Sequence, residues 1–125
     1  MAIDESDLAA RLMGDMDKRL LDFLKTQVNS FVKWDLVRFF HNNPNTADTA
    51  ENVARYAGRD PAAIEQELVE LAESGVLRCE TIGEMRVYSL ATDQEMRDLI
   101  DQFVLACDDR QFRVKAIYHI IRGMR

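Results

Sequence analysis

"AENVARYAGRDPAAIEQELVELAESGVLRCETIGEMRVYSL", residues 50–90, carries its own punctuation. Asp48 and Glu51 form an Asp-x-x-Glu capping pattern ahead of a short helix, "TAENVARYA", which Gly58 closes. Asp60 is placed to cap the next helix, Pro61 takes its first position, and Gly75 ends it. Within that helix Ile64, Leu68 and Leu71 recur at helical spacing and mark the inward face. "VLRCETI" and "RVYSL" are β-rich runs on either side of "GEM", which predicts a hairpin with a short tip; which faces of its strands point inward is ambiguous.

Upstream, "FVKWDLVRFFHNNP" predicts a helix capped by Asn29 or Ser30 and ended by Pro44, with Phe31, Trp34, Val37 and Phe40 suited to the centre of a core. Before it, "ESDLAARLMGDMDKRLLDFLKTQV" places Leu8, Leu12, Met16, Leu20, Leu24 and Val28 four residues apart, with Gly14 as a point of bending. Such a stripe drifts around the helix and fits either the chain's own core or a second copy; the second copy is slightly favoured. Downstream, Thr92 and Glu95 make a capping box for a helix carrying Met96, Leu99, Ile100, Phe103 and Val104. Asp108 and Gln111 would cap a last helix bearing Ile117, Ile120, Ile121 and Met124.

The expected fold is mainly α with a small β-hairpin, in the order helix, helix, helix, hairpin, with additional N- and C-terminal helices. Residues 30–92 resemble the winged helix-turn-helix core of bacterial transcriptional regulators, the broad class that includes the MarR and ArsR types. Val53, Ala54, Gly58, Ile64, Leu68, Leu71, Gly75 and Leu77 match its pattern of buried positions and turns. Ala54 suits a helix crossing that admits only a small side chain, and Gly58 a turn needing positive φ. A length of 125 residues fits one domain: an N-terminal helix over 1–28, the winged-helix core over 30–92 and C-terminal helices over 93–125.

The resemblance implies that the helix from 61 to 74 enters a DNA major groove while the tip around Gly83 lies along the backbone or minor groove. The charge pattern runs against this. Residues 45–92 hold four basic and nine acidic side chains, and between Asp60 and Val76 there are Glu65, Glu67, Glu70 and Glu73 but no lysine or arginine. Projected at about 100° per residue, the stripe opposite Ile64, Leu68 and Leu71 is Ala62, Ala63, Gln66 and Val69. Gln66 suits an adenine edge, and the small apolar side chains suit thymine methyls. Glu65 and Glu67 flank the stripe, where negative charge also complements the helix N-terminus. Arg55, Arg59, Arg78 and Arg86 are the candidates for phosphate contact, each equally readable as a solvated surface residue. The last segment, "RQFRVKAIYHIIRGMR", has five basic and no acidic residues; Lys115, Tyr118, His119 and Arg122 are expected on its outer side.

The whole chain is 47% hydrophobic and 30% charged, with a formal charge of −6, unlike the basic surplus of most nucleic-acid domains. No apolar run is long enough for a membrane span and no signal peptide is evident, so a cytoplasmic protein is expected. Cys79 and Cys107 have no paired spacing and read as buried thiols; with His41 and His119 far away in sequence, no metal is expected. There is no phosphate-cradling loop and no nucleophile paired with a base, so neither catalytic residues nor a cofactor is expected, and the protein is read as no enzyme. The aromatic residues 31–40 are better explained as core than as an effector pocket. The sequence reading is therefore a dimeric regulator bound to double-stranded DNA through Arg55, Arg59, Ala62, Ala63, Gln66, Arg78 and Arg86. Its dimer interface is expected at Leu8, Leu12, Met16, Leu20, Leu24, Ile117 and Ile121. The alternative is a protein–protein interaction module whose acidic third helix meets a basic protein partner. Charge distribution over the folded surface separates the two.

Overall fold

The computed structural model describes residues 17–124. Its elements run α1 (Lys18–Thr26), α2 (Phe31–Asn42), β1 (Ala47–Asp48), α3 (Ala50–Ala57), α4 (Pro61–Glu73), β2 (Leu77–Ile82), β3 (Met85–Leu90), α5 (Gln94–Ala106) and α6 (Arg110–Gly123). Helices α2, α3 and α4 followed by the β2–β3 hairpin form a winged helix, with α1, α5 and α6 packed behind it.

The turn chemistry works as the sequence suggests. Gly58 is left-handed at φ 69°, and the Arg59 N–H reaches back to the Ala54 carbonyl at 2.8 Å, closing α3. Asp60 accepts from Ala62 N–H at 3.0 Å with Pro61 directly behind it, so α4 starts two residues after α3 is closed. Ala54 is fully buried at this crossing. Gly83, at φ 64°, leads the two-residue tip between Ile82 and Met85, the conformation that lets a hairpin twist correctly.

Three helix starts fall one residue later than expected. Asp48 is occupied in β1, opposite Tyr88, and cannot cap; Thr49 caps α3 instead, while the Asp48 carboxylate accepts from Thr49 N–H and Asn52 Nδ2, both at 2.8 Å. Asp93 rather than Thr92 caps α5, and Asp109 rather than Asp108 caps α6. In each case two adjacent residues can cap, and the chain path out of the preceding element selects the second. Asp17 caps α1, so the described helix begins at Lys18, well inside the stripe that was read as one long helix. The β1 strand was not foreseen: it adds to β3 and makes the sheet three-stranded, in the order β1-β3-β2.

The wing register resolves the strand ambiguity. Leu77 lies opposite Leu90, Cys79 opposite Tyr88 and Thr81 opposite Arg86; residues alternate in direction along each strand, so these three pairs share one face. Leu77, Tyr88 and Leu90 on that face are buried against the body, while the outer half of the hairpin stands clear of it.

Behind the wing, Phe103 of α5 is the hub. Its ring meets Phe23 of α1 at 5.6 Å, Trp34 of α2 at 5.3 Å and Phe112 of α6 at 6.2 Å, all edge to face. Trp34, Val37 and Phe40 are core residues as expected; Phe31 is exposed, and Leu36 takes an inward place instead. The aromatic residues of this cluster thus pack edge to face on one another.

Candidate nucleic-acid interface

Helix α4 presents Ala62, Ala63, Glu65 and Gln66 to solvent over its first turns, whereas Ile64, Leu68 and Leu71 are fully buried. Val69, expected on the same outward stripe, is half-buried at the flank beside the wing. The outward surface of these turns is therefore two small side chains and an amide, flanked by the carboxylate of Glu65.

Two of the four glutamates have a different job from the one their sequence position suggests. Lys33, on α2, is only 7% exposed. Its ammonium lies 2.9 Å from Glu67 and 2.8 Å from Glu70 and donates to Asn29 Oδ1 at 2.9 Å. Glu67 and Glu70 are three residues apart and so share a flank of α4, and this flank faces α2. Burial pulls the Lys33 ammonium down, but its contacts with Glu70 and Glu67 outweigh that and hold it above its ordinary value. The Lys33 hydrogen bond in turn holds the Glu70 carboxyl below its ordinary range. This triad fastens α4 to α2 and turns Glu67 away from the outward stripe, a correction to the expectation that Glu67 flanks it; the Glu70 side chain stays partly exposed at the α2 edge. Gln27 adds a further tie, donating to the Ser74 carbonyl at the end of α4 at 2.8 Å.

The four arginines divide. Arg59 is paired with Asp35 on α2, and Arg78 with its strand neighbour Glu80. Arg55 and Arg86 are exposed, one on α3 and one on the wing. The wing tip is apolar and acidic: Ile82 and Met85 are exposed on either side of Gly83 and Glu84.

Of the residues expected at a dimer interface, Leu8, Leu12 and Met16 lie outside the described residues. Leu20 and Leu24 are buried among the chain's own helices, so at these two positions the own-core reading of the stripe is the one realised. Ile117 and Ile121 are exposed, and with Val114 and Met124 they form an apolar stripe down the solvent side of α6. That stripe runs at spacings of three and four; of the residues expected on the outer side, Arg122 is exposed, while Lys115, Tyr118 and His119 are only partly exposed. Burial first, and then the Lys25 charge, lowers the His119 pKa.

Cys107 is buried, its thiol pushed up to about 11 by burial, whereas Cys79 is exposed on β2, contrary to expectation. Among the described residues no cluster of His, Cys, Asp or Glu is arranged to hold a metal, and no helix is long and apolar enough to cross a membrane. Lys33 is the residue that the sequence reading passed over. The signal was present, a lone lysine between Phe31, Trp34 and Val37 on an otherwise inward face, four residues after Asn29.

No family model and no curated protein matches the chain. Among solved structures, the AntR antimony-specific transcriptional repressor is similar at a TM-score of 0.54 and 15% identity, over 86% of this chain and 95% of that one. A possible transcriptional regulator from Methanosarcina mazei Go1 is similar at a TM-score of 0.44 and 14% identity, over 89% of this chain and 85% of that one. At such identities the likeness to AntR speaks for architecture alone; with the chain's own element order, glycine turn and hairpin, it makes the chain a winged-helix protein.

Proposed function

We propose that the protein is a DNA-binding transcriptional regulator that places α4 in the major groove and works as a homodimer. The observation that carries this reading is the fate of the acidic residues on α4. Lys33 ties Glu67 and Glu70 to the α2 flank, and the outward surface of the first turns is Ala62, Ala63 and Gln66 with one flanking carboxylate, Glu65; Glu73 is exposed only in the last turn. A surface of that kind suits base edges, where small side chains allow close approach and an amide reads adenine. Arg55 and Arg86, on the elements on either side of α4, are the phosphate contacts; Arg59 and Arg78 contribute less because Asp35 and Glu80 already compensate them. The similarity to AntR, itself a transcriptional repressor, supports the reading at the level of fold.

The apolar stripe Val114, Ile117, Ile121 and Met124 on α6 supports the homodimer, since a second copy would cover it by the same stripe about a two-fold axis. Ile117→Asp with Ile121→Asp should leave a folded monomer in sedimentation equilibrium; a wild type that is monomeric at tens of micromolar would refute the dimer.

Binding to a random-sequence duplex at low salt tests the function, because non-specific affinity comes from phosphate contacts and needs no knowledge of an operator. Glu65→Gln should tighten binding by about fivefold, the removal of roughly 1 kcal/mol of repulsion at close range, and the gain should shrink as salt rises. Arg86→Ala should weaken binding in the same titration. A folded dimer that binds no duplex, with or without Glu65→Gln, would sink the regulator reading and favour a basic protein partner at α4.

A further inference from the structure

The sheet ends on β2. In the order β1-β3-β2 no strand of the described residues lies beyond it, and from Arg78 to Ile82 every residue is exposed. The register tells which backbone groups are left over. Ile82 and Met85 flank the two-residue tip and so form a hydrogen-bonded pair, and at the root of the wing Ala91 N–H donates to the Val76 carbonyl at 3.2 Å. Bonded pairs alternate along an antiparallel ladder, so Arg78, Glu80 and Ile82 spend their N–H and C=O groups on β3, while Leu77, Cys79 and Thr81 turn theirs to the outer edge. Exposed edges are commonly blocked by proline, lysine or a bulge. The six residues of β2 include none of these, and their two charges, Arg78 and Glu80, are of opposite sign.

We propose that the β2 edge pairs with the β2 edge of a second copy, antiparallel about a two-fold axis at Cys79. In that register the outward groups meet: Cys79 faces Cys79, and Leu77 faces Thr81 on either side, each pair exchanging its N–H and C=O bonds. It also sets Arg78 directly opposite Glu80 of the second copy, twice, in the close non-bonded pairs whose Cα atoms lie about 4.5 Å apart. Arg78 and Glu80 already attract each other along one strand; across the axis the same two charges make the edge complementary to itself. Sliding one strand by two residues, the next register in which the backbone bonds match, sets Arg78 against Arg78 or Glu80 against Glu80, which repel. Charge therefore fixes the register. The pairing needs neither DNA nor the α6 stripe; where α6 also joins two copies, as the homodimer reading has it, a second two-fold surface links dimers into larger assemblies.

The test is cross-linking by a short bismaleimide, read by intact mass, in the full chain carrying Ile117→Asp and Ile121→Asp so that α6 contributes no contact. Cys107 is buried with its thiol pushed up to about 11, which leaves Cys79 as the reactive thiol. In the proposed pair the two Cys79 Cα atoms are about 5.5 Å apart, within the reagent's span. Cross-linked product should form at about 1 mM protein, where even a contact of millimolar Kd is substantially populated. Arg78→Glu and Glu80→Arg each set like charges in both close pairs, and each should cut the yield by about fivefold. An equimolar mixture of those two variants restores opposite charges in both pairs and should give mainly the mixed product; the same preference should appear with α6 intact. Thr81→Pro removes an outward donor that the hairpin itself does not use, and should abolish cross-linking with little change in Tm. A mixture that yields its products in statistical proportion, a Thr81→Pro chain that still cross-links, or no product at millimolar protein would each overturn the pairing, the last leaving the edge to an extended segment of another protein.

Discussion

Helix α4 has two flanks, and they are finished differently. On the α2 side an ion-pair cluster holds the helix: Lys33 meets Glu67, Glu70 and Asn29, and the Ser74 carbonyl receives Gln27. On the wing side there is open volume, an exposed thiol and a buried hydroxyl with no partner. The helix is thus held by ion pairs along one edge and by apolar contact with the wing, beside an open cleft, along the other. An ionic clamp also does something that a leucine pair would not, since it takes negative charge away from the outward surface while holding the helix.

The strongest test of that contrast removes the clamp. Glu67→Gln with Glu70→Gln leaves a buried ammonium with neutral acceptors and no counter-charge, and we expect a loss of about 3 kcal/mol, at the low end for a broken buried pair because Glu70 is partly exposed. For a chain of this size that is roughly 10 °C in Tm by scanning calorimetry. A variant that melts with the wild type would show that the triad is ornamental.

A smaller effect is expected from pH. Glu70 has a folded-state pKa below its unfolded value, so its contribution is present above the ordinary glutamate pKa of about 4.3 and is lost as pH falls through the folded value. Lys33 is shifted the opposite way, so its contribution persists below its ordinary value and is lost only as pH rises through the raised one. Urea midpoints should therefore be flat across neutral pH and fall on the acid side. In the double glutamine variant this acid fall should be shallower than in the wild type.

The smallest change belongs to the open flank. Tyr88→Phe removes an unsatisfied hydroxyl, and stability should stay level or rise by up to about 1 kcal/mol. A clear loss in urea unfolding would mean that the hydroxyl is satisfied, and that the two flanks are more alike than their geometry suggests.

The fold was legible because its decisive signals are local. Gly58, Asp60 and Pro61 fix the turn whatever surrounds them, and Ile64, Leu68 and Leu71 place the inward face of α4 by spacing alone. The site was harder to read because its chemistry is non-local. Lys33 and Glu70 are 37 positions apart, and neither shows in sequence that it needs the other. Cap positions slipped by one where two candidates adjoin, since long-range pairing such as that of Asp48 with Tyr88 settles the choice. The two-residue β1 is too short to leave a periodic signal. Cys79 was misread for a related reason: its face of the hairpin points inward, but it lines the open cleft beside α4 and stays exposed.

The ring contacts centred on Phe103 have an optical consequence. Trp34 is the chain's one tryptophan, packed edge-on against Phe103 and adjacent in sequence to Lys33. Phe103 in turn touches Phe112, on the helix whose far side carries the exposed apolar stripe. A displacement of α6 passes through two rings, Phe112 and Phe103, to the indole, and a displacement of α4 reaches it through the residue next door. Intrinsic emission from this single fluorophore is therefore a label-free gauge placed midway between the two surfaces, and stopped-flow traces excited at the indole band would time which of them moves first.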